Sequence, residues 1–167
     1  MKTKKIVLLG LLCAIALTIF MIEAQIPPVV PLPGVKLGLS NIVTVFAVFV
    51  LGPAEAAQIL FGRIFLGAVF GNFGTILFSA AGGLCAIGTT ILLRRILTKK
   101  QIWVAGIMGA IAHSIGQMVV AVFVLGTVTI VGYLPVMIVI SIVTGFFTGL
   151  CAQFLVNRGK LWKIFSK

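Results

Sequence analysis

The chain has 167 residues, 61% of them apolar and only 9% charged, with a mean hydropathy of +1.30. Soluble domains carry about a quarter charged residues, so a soluble globular domain is excluded and the sequence reads as an integral membrane protein with room for roughly six spans of about 20 residues. The net charge of +11 is not a nucleic-acid signature, because eleven of the 13 basic residues flank apolar runs instead of forming a face with stacking aromatics.

These residues form three clusters: Lys2, Lys4 and Lys5; Arg94, Arg95, Lys99 and Lys100; Arg158, Lys160, Lys163 and Lys167. The positive-inside rule places all three in the cytoplasm. Together with the apolar runs this gives an all-α, single-domain bundle over residues 1–167, with six transmembrane helices and both termini cytoplasmic.

Helix 1 is expected at about 6–22. Its lysine-rich start also fits a signal peptide, but the small-residue cleavage pattern at Ile22-Glu23-Ala24 is poor and five more spans follow. Gly10, Ala14 and Thr18 recur every four residues and make one face small, suited either to packing inside the bundle or to close docking of a partner helix. The stretch from Pro27 to Asn41 holds four of the six prolines, with a glycine pair bracketing Lys36. Proline fixes φ and removes donors, so this stretch is irregular, a connector or a ligand lid.

Helix 2, about 39–51, is short for a full span, so the proline loop is expected to dip inward and complete it. Gly52-Pro53 turns the chain into helix 3, about 54–70, and Gly71-Asn72-Phe73-Gly74 turns it into helix 4, about 75–93. Helix 5 is expected at about 102–125 and helix 6 at about 131–156. Trp103 and Trp162 then sit at the inner interface and Tyr133 near the outer one. Gly145 and Gly149 form a GxxxG pair, read as packing. Cys13, Cys85 and Cys151 lie singly in apolar runs and read as small packing residues.

Polar groups inside apolar runs are costly, so each needs a partner or a wet cavity. Arg63 is too deep in helix 3 to snorkel. It serves an anionic ligand, or it pairs with backbone carbonyls, Asn41 or Glu55; Gly67 and Gly71 leave room for its guanidinium to extend toward Asn72. His113 and Gln117 share a face of helix 5, as packing residues or as a pocket. With Lys36, Ser40, Asn41 and Asn72 these residues form the candidate ligand site. Cations and amides outweigh Glu23, the one acid near the outer mouth, and the surroundings are apolar, which favours an anionic, partly apolar small molecule.

Some chemistry is missing. There is no Gly-rich loop ending in Lys-Ser/Thr to bind ATP. Glu23 and Glu55 are the only acids, and the single histidine leaves no histidine-based metal site. No metal, cofactor or enzyme activity is expected.

Four segments carry a family resemblance: Pro-Gly-Val-Lys-Leu-Gly-Leu-Ser-Asn-Ile-Val-Thr from Pro33 to Thr44, Arg63 to Gly67, Phe70 to Phe73, and Gly-Ala-Ile-Ala-His-Ser-Ile-Gly-Gln from Gly109 to Gln117. They resemble the bacterial Gx transporter family, also labelled heptaprenyl diphosphate synthase component I, over nearly the whole chain. That family is similar to the substrate-binding S components of energy-coupling factor (ECF) transporters.

The resemblance implies a multi-pass protein of the bacterial cytoplasmic membrane whose loop between helices 1 and 2 closes over a small-molecule substrate near the outer face. It also implies a transmembrane coupling protein bearing ATPase subunits, docked on the small residues of helix 1. Gly10 and Ala14 match that docking pattern. The synthase label implies instead an accessory subunit of isoprenoid or quinone metabolism, since prenyl elongation needs acidic metal-binding motifs that this chain lacks.

Overall fold

The structure is a computed structural model and describes residues 2–27, 36–70, 74 and 76–158. Most of the proline stretch, together with Gly71, Asn72, Phe73 and Trp162, lies outside the described residues. Among the described residues six α-helices follow one another: α1 (Lys2–Glu23), α2 (Asn41–Val50), α3 (Pro53–Phe70), α4 (Ile76–Arg94), α5 (Ile102–Leu125) and α6 (Leu134–Arg158). A short 3-10 turn, Thr129–Tyr133, leads into α6, and there is no strand among the described residues. Five of the helices are long and apolar enough to cross a membrane, α2 being the exception. The chain is therefore a multi-pass membrane protein. In a bilayer only a helix or a closed barrel satisfies every backbone group internally, and these near-continuous apolar runs lack the alternation of barrel strands.

The ten residues of α2 rise about 15 Å, roughly half a hydrocarbon core. This helix is buried along most of its length, from Val43 to Val48, and touches every other helix. Val45, Phe46 and Val48 join Leu12, Ile59, Leu60 and Ile87 in the larger apolar cluster, while Phe78, Met118, Ile130 and Met137 form a second. Helix α5 stops at Gly126, whose φ of 64° is left-handed and whose N–H returns to the Val122 carbonyl at 3.0 Å.

Lipid offers no hydrophobic drive between helices, so close backbone approach has to hold them together. The α5–α6 seam is built this way. A Cβ placed on Gly106 would lie 2.5 Å from the Gly145 carbonyl oxygen, and one on Gly149 would lie 2.7 Å from that of Trp103. Ser114 and Ser141 bridge the same seam with a hydroxyl pair at 2.6 Å. On α4–α5, a Cβ on Gly116 would lie 2.7 Å from the Ala81 carbonyl oxygen.

Lys5 at the start of α1 pairs with Glu55 at the start of α3, and a Cβ on Gly52 would lie near both Glu55 and the Arg94 guanidinium at the end of α4. The first two basic clusters therefore meet at one end of the bundle. The small face of α1 points away from the bundle: Gly10, Ala14 and Thr18 are all exposed. Internal packing, one of the two roles open to this face, is overturned. The buried stripe of α1 is Leu8, Leu12, Ala16 and Phe20, one helical turn apart, so these larger residues make the inward contacts.

Candidate functional site

At the end of α1, Phe20 and Glu23 lie three residues apart on the buried face, and Glu23 is only 4% exposed. The chain returns at Lys36 beside this end of α1. The Gly38 N–H donates to Glu23 Oε1 at 2.5 Å. Gly38 has a φ of 79°, and a Cβ there would sit 3.0 Å from Asn41 Nδ2 and 3.1 Å from His113 Cδ2, so both backbone conformation and space require glycine. The Asn41 N–H then bonds the Gly38 carbonyl at 2.9 Å, turning the chain into α2.

Arg63 projects from the middle of α3 and is almost wholly buried. Its guanidinium donates to Ser40 Oγ. Neither Asn41 nor Glu55 is its side-chain partner: Glu55 is taken by Lys5 at the other end of the bundle, and both amide atoms of Asn41 are buried without a hydrogen bond. Nor does Gly67 leave room for the guanidinium, because the Phe20 ring fills that space, 2.9 Å from where a Gly67 Cβ would stand. Gly83 on α4 makes room for Leu60, 2.7 Å from where its Cβ would stand, and Arg63 Nη2 lies beside it at an ordinary contact distance of 3.5 Å.

The Phe20 ring carries two cations. Lys36 Nζ lies 3.4 Å from its centroid and the Arg63 guanidinium carbon 5.8 Å, within the range of cation–π attraction. Burial pushes the Lys36 ammonium below the usual lysine range, with Glu23 opposing the shift and Arg63 adding to it.

Gln117 holds the returning segment from the far side. With its carboxamide oriented to match donors with acceptors, it donates to the Lys36 carbonyl at 3.0 Å and accepts from the Lys36 N–H at 3.2 Å. It also accepts from His113 Nε2 at 3.2 Å. One side chain thus engages both backbone groups of Lys36, as a neighbouring strand would. The His113 ring packs on Gly82 of α4, 2.7 Å from where a Cβ would stand.

Gln117→Leu is expected to leave both Lys36 groups unpaired and to cost about 1–3 kcal/mol. Thermal unfolding checks the magnitude, and faster deuterium exchange at the Lys36 and Gly38 amides checks the location.

Between these groups lies a cavity of about 10 Å³, close to the smallest that admits one water. Of the residues expected from sequence, Lys36, Ser40, Arg63, His113 and Gln117 line it. Asn41 stands one residue beyond, with its amide toward Gly38, and Asn72 lies outside the described residues. Phe20, Glu23, Gly38 and Ser79 also line the cavity. The signal for the first two was the i, i+3 pairing of an aromatic and an acid at the end of an apolar helix. For Ser79 it was an isolated hydroxyl in an apolar run.

Elsewhere, Gly10 borders a groove of about 350 Å³ between α1 and α3, lined by Ile6, Leu9, Cys13, Gln58 and Ile59.

No curated protein and no solved structure matches the chain. The family described as heptaprenyl diphosphate synthase component I matches residues 12–155, most of the sequence. The chain belongs to that family.

Proposed function

We propose that the chain is the substrate-binding membrane subunit of an uptake transporter in the bacterial cytoplasmic membrane, similar to an S component of an ECF transporter. It captures a small, anionic, partly apolar molecule. The observation that carries this reading is the cluster of buried Arg63 and Glu23 with half-buried Lys36, closed over by a backbone segment that Gln117 grips from α5. Ionisable groups inside a membrane bundle are costly and rare, and by default they mark a functional site such as a substrate pathway. The cavity of about 10 Å³ is too small for such a molecule, so capture requires the 36–40 segment to lift; it is held by hydrogen bonds from Gln117, Glu23 and Arg63, which can be released and remade without unpacking a helix, and this suits a lid over the ligand. Lys36, Ser40, Asn41, Arg63, Asn72, His113 and Gln117 are the proposed ligand residues.

The meeting of Lys5 and Arg94 at one end of the bundle supports cytoplasmic termini with the site toward the other face. Energy comes from a transmembrane coupling protein with ATPase subunits, docked on Gly10, Ala14 and Thr18. The outward direction of that small face supports this role.

The family's description favours a second reading, a non-catalytic membrane accessory of isoprenoid or quinone metabolism. Catalysis is no part of either reading: the two acids of the chain stand apart, Glu55 with Lys5 and Glu23 with Gly38, and cannot form a metal-binding carboxylate pair.

Co-purification from gently solubilised membranes separates the two readings. A tagged chain is expected to bring down a coupling protein with its ATPases, and Gly10→Leu is expected to abolish that capture. Because a Cβ at Gly10 meets nothing within 4 Å, the same substitution should not lower stability and should raise it by up to about 1 kcal/mol through helix propensity. Recovery of a soluble prenyl synthase without ATPases would select the second reading.

A further inference from the structure

We infer that the buried site is matched to a singly charged anion and discriminates against diphosphates, and that Glu23 sets this preference. The inference rests on the anion-site reading above and adds a charge rule to it. Three charged side chains face the cavity, the cations Lys36 and Arg63 and the acid Glu23, so with His113 counted neutral its formal charge is one positive. Among the described residues no other charged side chain lines it. Every remaining lysine and arginine lies in a flanking cluster, and Glu55 is paired with Lys5. Lys5 stands roughly 27 Å along α1 from Glu23 at 1.5 Å per residue.

Burial makes the balance matter. A charge left uncompensated in a low-dielectric site is expensive, so the ligand that binds best is the one that neutralises the site without excess. One carboxylate, or another monoanionic head, does that. A diphosphate is a polyanion and overshoots, which leaves unpaired negative charge beside the Glu23 carboxylate. Glu23 cannot swing aside freely, because its Oε1 holds the Gly38 N–H. A divalent cation would shield a diphosphate elsewhere, but the carboxylates needed to hold one are missing, since the chain has two acids and they lie at separate places. Ser40, Ser79, His113 and Gln117 contribute neutral hydrogen-bonding groups that orient the head without altering the charge count.

The test uses the full chain in nanodiscs of zwitterionic lipid, titrated by calorimetry with decanoate and with geranyl diphosphate, whose tails are of similar size. The parent is expected to bind decanoate about tenfold or more tightly than geranyl diphosphate, with both signals lost in Arg63→Met. Glu23→Gln keeps an acceptor for the Gly38 N–H and adds one net positive charge; it should improve diphosphate binding about tenfold and narrow the ratio. Lys36→Gln, in the loop, should weaken decanoate binding by a similar factor and serves if Glu23→Gln does not fold. A diphosphate that binds the parent as tightly as decanoate, in an Arg63-dependent way, overturns the charge rule and leaves the anion site standing. So does a ratio unmoved by Glu23→Gln. Absence of Arg63-dependent binding for either probe removes the anion site itself, and this inference with it.

Discussion

Gly106→Ala is expected to destabilise the bundle by about 3 kcal/mol or more, although it adds a single methyl group to a good helix position. The added Cβ would stand 2.5 Å from the Gly145 carbonyl oxygen and 2.5 Å from the Gly149 Cα, and both obstacles are backbone. No side-chain rotation relieves such a clash, so α5 and α6 must separate. The loss then spreads along the seam, through the edge-to-face contact of Trp103 and Phe146 at 5.8 Å and the Ser114–Ser141 hydroxyl pair. Gly88→Ala is the control. It sits in α4 with nothing within 4 Å of its added Cβ, and the gain in helix propensity should stabilise by up to about 1 kcal/mol. Unfolding in mixed detergent micelles measures both, and equal effects at the two glycines would remove the seam as the main source of cohesion.

The second large effect is expected at Arg63. Arg63→Met keeps most of the volume but removes the guanidinium whose charge acts on Glu23 and leaves Ser40 without its donor, at a cost of about 1.5–3 kcal/mol. Part of that cost belongs to the Glu23 carboxylate, which keeps the Gly38 N–H but loses an attractive charge. Adding Glu23→Gln should therefore restore stability, so that the double variant is better than the sum of the singles by more than about 1 kcal/mol. Ligand binding should stay absent in both, because neutralising Glu23 repairs the fold without returning the cation. Strict additivity would mean that the two side chains do not interact.

The helical plan was readable because apolar runs of this length leave a chain in lipid few alternatives, and the short α2 was marked by the prolines before it and Gly52-Pro53 after it. The facing directions were not readable. Helix α1 is apolar nearly all round, so its sequence does not say whether Leu8-Leu12-Ala16 or Gly10-Ala14-Thr18 turns inward, and the small face proved to be outward. The pair Gly145 and Gly149 stood out as GxxxG, whereas Gly106, which they enclose, belongs to a weaker small-residue row with Ala110 and Ser114.

The site was legible as a set of costly polar residues, since Lys36, Ser40, Arg63, His113 and Gln117 were each conspicuous in apolar surroundings. Their pairing was not. That Arg63 meets Ser40, that Phe20 occupies the space beside Gly67, and that Glu23 supports Gly38 all depend on how the end of α1 packs against α3.

Native mass spectrometry of the gently extracted protein tests the central claim, that this cluster captures a small anion. The parent is expected to carry a retained small molecule that leaves on collisional activation in negative-ion form, and Arg63→Met should be recovered without it. A parent at the mass of the bare chain, or with adducts that persist unchanged in Arg63→Met, would contradict the claim.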